Sequence, residues 1–211
     1  MNQRDDVWDG GWYRAAQREP SPNFGARPPG AAVDLLVLHS ISLPPGVFGT
    51  GRVRDLFLNQ LDIGAHPYFT HLQGVQVSAH FFIERSGRVW QFVDCDSRAW
   101  HAGVSSYRGR ENCNDDSIGV ELEGLEGGDF EAEQYQCLLA LTHAIRARYA
   151  LRFVAGHEHI APARKADPGP GFDWAVLQKS AAFGGMQFPH QTLSRYAKKR
   201  LPAHKWLPHR C

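Results

Sequence analysis

The chain has 211 residues, 43% of them hydrophobic and including 12 Phe, 6 Trp and 6 Tyr, enough for a single domain with a sizeable core. Its 23 Lys and Arg against 22 Asp and Glu leave a net charge of +1, which argues against a general nucleic-acid binder. No window approaches the roughly 18 apolar residues of a membrane span, and the acidic, Trp-bearing start MNQRDDVWDGGWYR is unlike a secretory signal, so the chain is expected in the cytoplasm. The four cysteines are widely spaced without a CxxC pair and read as free thiols, whereas 11 histidines invite a search for a metal or acid–base site.

Residues 1–32 are rich in Pro and Gly and read as an extended N-terminal arm. Residues 33–38 are a short apolar run of strand length that ends at His39. Residues 40–76 are long and irregular for a compact domain, which marks a functional loop, although VRDLFLNQL within them has helical spacing. Residues 77–83 alternate in strand fashion and predict a hairpin with residues 89–93 through the turn RSGR. Ser117–Glu123 is another strand, with Ile118, Val120 and Leu122 on one side and Ser117, Gly119, Glu121 and Glu123 on the other. A helix capped by Asp129 follows, then a short strand at 153–155 and a closing helix from Asp173. The order predicts one α/β domain over residues 33–183, a mixed central sheet flanked by helices with long irregular loops around a cleft. Residues 184–211 form a basic tail, with six Lys or Arg and no acid over 195–211, read as solvated.

Three chemically capable groups sit where strands end. His39 closes the first strand, His157 follows FVAG at the end of the last, and Asp167 lies in the proline-stiffened RKADPGP beyond it. Open α/β sheets bind ligands beyond their strand ends, and two imidazoles with one carboxylate suit zinc with an open position. Spacing alone leaves plainer readings open: hydrogen-bonded histidines and an Asp–Pro turn. Glu121 and Glu123 share one strand face; either is a general base if enclosed, and both are ordinary if that face is a wet edge. Lys165 offers charge to a developing oxyanion, or is simply solvated beside Arg164. The polar loop RAWHAGVSSYRGR holds His101, Trp100 and Tyr107 and has the make-up of a ligand-lining segment. His80 and His159 read as supporting or packing residues. There is no HExxH motif to support a metzincin-like site.

The blocks PSPNF, VLHSISLPPGVFG, AHPYF, VSAHFFI, RAWHAGVSSYRGRENCND, SIGVELEG and GHEHIAPARKADPGPGFDW together resemble the AmpD-type N-acetyl-anhydromuramyl-L-alanine amidases. These are zinc hydrolases of the superfamily that includes phage amidases and peptidoglycan-recognition proteins. The resemblance spans residues 11–177. It implies that 33–183 is a zinc amidase domain, with zinc held by His39, His157 and Asp167, Glu121 rather than Glu123 as the catalytic carboxylate, and Lys165 assisting. It implies cleavage of the amide joining muramic acid to L-alanine in soluble muropeptides, as a cytoplasmic monomer without nucleic-acid or membrane partners. His101, Trp100 and Tyr107 are then expected to contact substrate. Ser40 stands where close relatives would carry Asn, and Gln76 and Asn112 where some members carry arginines for the peptide's acidic end. Two competing classes are a non-catalytic muropeptide-binding module, which would lack a zinc ligand, and a cysteine amidase, which would survive chelation.

Overall fold

The computed structural model describes residues 7–189. Its centre is a six-stranded mixed sheet of β1 (Gln17–Arg18), β2 (Leu35–Ile41), β3 (Phe81–Ile83), β4 (Val89–Gln91), β5 (Ser117–Glu123) and β6 (Phe153–Gly156) in the order β6-β2-β5-β3-β4-β1. Strands β6, β2, β5 and β3 run parallel, β4 turns back antiparallel to β3 in the expected hairpin, and β1 pairs parallel with β4. The continuous run Leu35-Leu36-Val37-Leu38 is fully buried because β2 sits between β6 and β5 and is covered on both faces. Each such side chain contributes about 1.5–3 kcal/mol of burial.

Helix α2 (Ala132–Arg148) lays Leu138, Leu141 and Ile145 on the face presented by Leu36, Leu38, Ile118, Val120 and Leu122. It starts later than expected: Glu131, not Asp129, is the N-cap, and its backbone N–H donates to Gln134 Oε1. The buried Gln134 amide also donates to the carbonyls of Ile83 and Glu123, tying the ends of β3 and β5 to the helix. Helix α4 (Trp174–Gln178) opens at Asp173, whose carboxylate accepts the Ala175 N–H as the sequence predicts.

The stretch after His39 is more ordered than an irregular loop. Helix α1 (Arg52–Phe57) takes in Arg52 and the first five residues of VRDLFLNQL, and two 3-10 turns follow at Ile63–Ala65 and Pro67–Leu72. Val53, Leu56, Phe57 and Phe69 build a second core with Phe82, Trp90 and Phe92.

Both flanks of the central sheet pack against it. The N-terminal segment runs extended but does not stand apart: β1 belongs to the main sheet, and Phe24–Gly25 pairs with Arg98–Ala99. Buried Asn23 donates to the carbonyls of Phe57 and Val77, and Arg27 donates to those of Cys95, Asn114, Asp115 and Ser117. These polar side chains satisfy backbone acceptors of distant loops, a role that composition does not reveal. At the other end the domain passes residue 184: Met186 is buried and Gln187 bridges to Phe153. The rest of the basic tail lies outside the described residues. Cys95, Cys113 and Cys137 are free thiols, and Cys211 lies outside the described residues.

Candidate metal centre

The parallel strands place three groups at one end of the sheet. His39 lies near the C-terminal end of β2, on the face of Leu35 and Val37. His157 is the first residue of α3 (His157–Ile160), directly after β6, and Asp167 follows in the loop beyond. All three are buried. His39 Nδ1 is 2.9 Å from His157 Nδ1, and each of these atoms is 3.2 Å from Asp167 Oδ2.

That triangle fits a metal better than a hydrogen-bond network. Tetrahedral zinc with bonds of roughly 2.0–2.1 Å sets its ligand atoms about 3.3 Å apart. The carbonyl of Ala102 lies 3.0 Å from His157 Nε2 and can only accept, so in the neutral ring Nε2 carries the proton and Nδ1 presents a lone pair. This lone pair faces the Asp167 carboxylate, two acceptors that a cation would reconcile. Burial, with the neighbouring His157 next, lowers the His39 pKa to about 4 against the pull of Asp167, leaving a neutral ring able to coordinate.

Glu121 and Glu123 are separated by the structure. Strand β5 is central, so the wet-edge reading does not apply. Glu123 is buried, and its two carboxylate oxygens accept the backbone N–H groups of Gly49 and Arg85, so it pins two loops. Glu121 Oε1 lies 4.0 Å from His39 Nδ1, and its Oε2 is buried with no hydrogen-bond partner among the described residues. Burial first, and then the charge of Asp167, push its carboxyl well above the usual range, against the opposing charge of Lys165. A carboxyl so placed holds a proton readily beside the candidate metal site. Lys165 itself is exposed at the rim, close enough to act on both Glu121 and His39 through its charge.

The three expected substrate contacts do not form one cluster. His101 is buried, with its Nδ1 3.0 Å from His39 Nε2, so it stands behind His39 rather than lining a wall. Half-buried Trp100 lies alongside Gly25 of the N-terminal segment, and half-buried Tyr107 packs edge-on against Phe153 with ring centres 6.0 Å apart.

Two supporting residues escaped the sequence reading. Asn114 Oδ1 accepts the backbone N–H groups of both His101 and Ala102, and the Arg164 guanidinium donates to the carbonyls of Ala102 and Val104. Together they fix the loop whose groups contact His39 and His157. An Asn three residues ahead of a strand and an Arg beside a Lys carry no local signal of that role. Asn112 adopts a left-handed φ of 55°, a conformation Asn tolerates well, where some relatives are expected to carry Arg.

Residues 29–170 match the N-acetylmuramoyl-L-alanine amidase family. The chain is 52% identical over 169 residues to the 1,6-anhydro-N-acetylmuramyl-L-alanine amidase AmpD of Citrobacter freundii, covering 79% of this chain and 90% of that protein. It is 50% identical over 167 residues to the protein of the same name from Escherichia coli (strain K12), covering 78% and 91%. Among solved structures, a selenomethionine derivative of AmpD superposes with a TM-score of 0.80 at 50% identity, covering 82% of this chain and 97% of that one. The E. coli amidase AmiD, in complex with the substrate anhydro-N-acetylmuramic acid-L-Ala-D-gamma-Glu-L-Lys, superposes with a TM-score of 0.52 at 30% identity, covering 83% and 68%.

Proposed function

The chain belongs to the N-acetylmuramoyl-L-alanine amidase family, and we propose that it is a zinc-dependent enzyme cleaving the amide between (1,6-anhydro)-N-acetylmuramic acid and L-alanine of soluble muropeptides. The reading is carried by one observation: His39, His157 and Asp167 present three atoms within 3.2 Å of one another, beside a buried Glu121 whose Oε2 has no partner among the described residues.

A zinc ion held by those atoms would supply Lewis acidity toward the amide carbonyl and bring the acidity of a water near neutral pH. The protein's own groups do the rest. Glu121 takes a proton from the attacking water and returns it to the departing L-alanine nitrogen as the carbon–nitrogen bond breaks. Lys165 offers its charge to the developing oxyanion from the rim. Trp100 and Tyr107 contact the sugar or the peptide. Cys95 and Cys113 are buried, and neither thiol is hydrogen-bonded to His39, His157, Asp167 or Glu121 among the described residues, which disfavours a thiol nucleophile. No helix among the described residues is long and apolar enough to cross a membrane, and a cytoplasmic monomer that recycles wall fragments accords with a soluble substrate.

Incubation of the purified protein with an anhydromuropeptide tests the reading. Release of free stem peptide, abolished by a chelator and restored by zinc, is expected, with much slower turnover of intact sacculi. Activity that survives chelation would overturn the zinc assignment. Equal turnover of sacculi would indicate a wall amidase of the broader family.

A further inference from the structure

His101 belongs to a chain of hydrogen bonds whose direction is set from its far end. The Cys113 carbonyl can only accept, so the Ser117 hydroxyl donates to it. Ser117 Oγ then offers a lone pair to His101 Nε2, 3.1 Å away, which must carry a proton. With the ring proton placed on Nε2 by this chain, Nδ1 is the acceptor of the His101 imidazole. His39 Nε2, 3.0 Å from that atom, must therefore be the donor, which leaves His39 Nδ1 as a lone pair aimed at His157 and Asp167.

The ring has a fitted seat. A methyl at Gly119 would come within 2.5 Å of His101 Cγ, so the bare backbone of β5 forms the floor beneath the imidazole. That floor is itself held: the Gly119 N–H donates to His80 Nδ1 at 3.0 Å, and His80 Nε2 donates to the Ser97 carbonyl at 3.1 Å. Ser117, Gly119 and Glu121 occupy one face of β5 and read in order as the start of the chain, the floor beneath it and the acid beside the ligand.

We propose that His101 is a positioning residue which, polarised through Ser117 by the Cys113 carbonyl, locks His39 in the Nε2–H form and so readies Nδ1 to bind zinc before any metal arrives. The proposal rests on the zinc reading only for its consequence; the locked tautomer belongs to the metal-free protein. Such outer partners of a ligating histidine typically govern metal affinity 10- to 100-fold.

The test uses the full chain freed of zinc. Imidazole ¹⁵N spectra near pH 8 should show His39 protonated at Nε2, and zinc affinity follows from competition with a chromophoric chelator. His101→Phe keeps the ring but removes the acceptor and should mix the His39 tautomers and weaken zinc roughly 10- to 100-fold. His101→Asn restores an acceptor near the lost Nδ1 and should recover most of that affinity. Ser117→Ala removes the polarising hydroxyl at little steric cost and should act in the same direction as His101→Phe, which keeps the test open if the Phe variant does not fold. A wild-type spectrum with His39 protonated at Nδ1, or His101→Phe and Ser117→Ala variants that bind zinc as tightly as wild type, would overturn the proposal. A wild-type protein that binds no zinc would instead strike the metal reading and leave the tautomer measurement to decide this one.

Discussion

Glu121 stands directly opposite His39 in the parallel ladder between β5 and β2, with its Oε1 4.0 Å from His39 Nδ1. The sheet register thus sets the spacing between the acid and the imidazole. A slip of one residue would turn Glu121 onto the apolar face covered by α2, so the same hydrophobic pattern that folds the domain also aligns its chemistry.

Glu121→Gln keeps the shape and removes the base. It should retain zinc and lower kcat by roughly 10²–10⁴. Glu123→Gln leaves one of the two backbone N–H groups that its carboxylate accepts facing an amide nitrogen, which should cost about 0.5–1.5 kcal/mol of stability with a smaller loss of rate. Thermal melts and steady-state kinetics on both variants separate the roles. Equal falls in kcat would contradict the assignment.

His39→Ala and Asp167→Ala each remove one corner of the ligand triangle. Neither variant should retain stoichiometric zinc through gel filtration, and both should be inactive. In the wild type, free zinc at 100 times its Kd should stabilise the fold by about 2.7 kcal/mol, and this gain should vanish in both variants. A zinc-dependent rise in melting temperature that survives either change would remove that residue from the ligand set.

The parts of this molecule legible in the sequence are those written in short-range pattern. Ser117–Glu123 alternates in register with its two faces, Asp173 caps its helix, and His39 and His157 each sit at a strand end where parallel topology gathers them. The illegible parts depend on contacts far apart in the chain. Asn23 and Arg27 look like loop residues until the carbonyls they satisfy are in place, and His101 reads as lining rather than backing because only the folded sheet brings it behind His39. The choice between Glu121 and Glu123 lay beyond periodicity for the same reason: one meets two backbone N–H groups from distant loops, the other none.

Asn114 offers a test of that hidden framework. Its Oδ1 accepts two buried backbone N–H groups, from His101 and Ala102. Asn114→Ala orphans both, at about 1–3 kcal/mol for each unsatisfied group, and loosens the carbonyl that orients His157. Urea denaturation of the metal-free variant should show the loss, and zinc affinity should fall in parallel. A stable variant with unchanged affinity would show that the loop holds its shape without this residue.

The buried histidines should each make the metal-free protein less stable on acidification, whereas the carboxyls of Glu121 and Glu158, raised by burial, act in the opposite sense. Burial lowers His39 and His159 to about 4 and His80 to about 3, all below the unfolded value of about 6.5. Between these values the unfolded chain binds more protons than the native one, so the stabilisation is complete above about pH 6.5 and is lost as pH falls toward 4 and then 3. Ring titrations followed by imidazole spectra of the zinc-free protein across pH 3–7 isolate the histidine contribution from that of the carboxyls. Native His80 and His159 midpoints at or above about 6.5 would remove it.

Residues 44–51 lie between His39 and α1, and two properties set them apart from the helix. Val47 and Phe48 are exposed, whereas Val53, Leu56 and Phe57 of α1 are buried in the second core. Gly46, Gly49 and Gly51 all have positive φ, and the stretch is tied to the sheet through the Gly49 N–H on the Glu123 carboxylate, two residues from Glu121. A long segment with hinges at one end and a packed helix at the other should move only at the hinged end, folding Val47 and Phe48 over bound substrate and excluding water. Hydrogen exchange without ligand should find α1 strongly protected and residues 44–51 weakly so, and added muropeptide product should raise protection in 44–51 alone. Glu123→Gln should weaken that tether and reduce the ligand-induced protection. Uniform high protection of residues 44–57 with and without product would make the segment a fixed wall of the cleft.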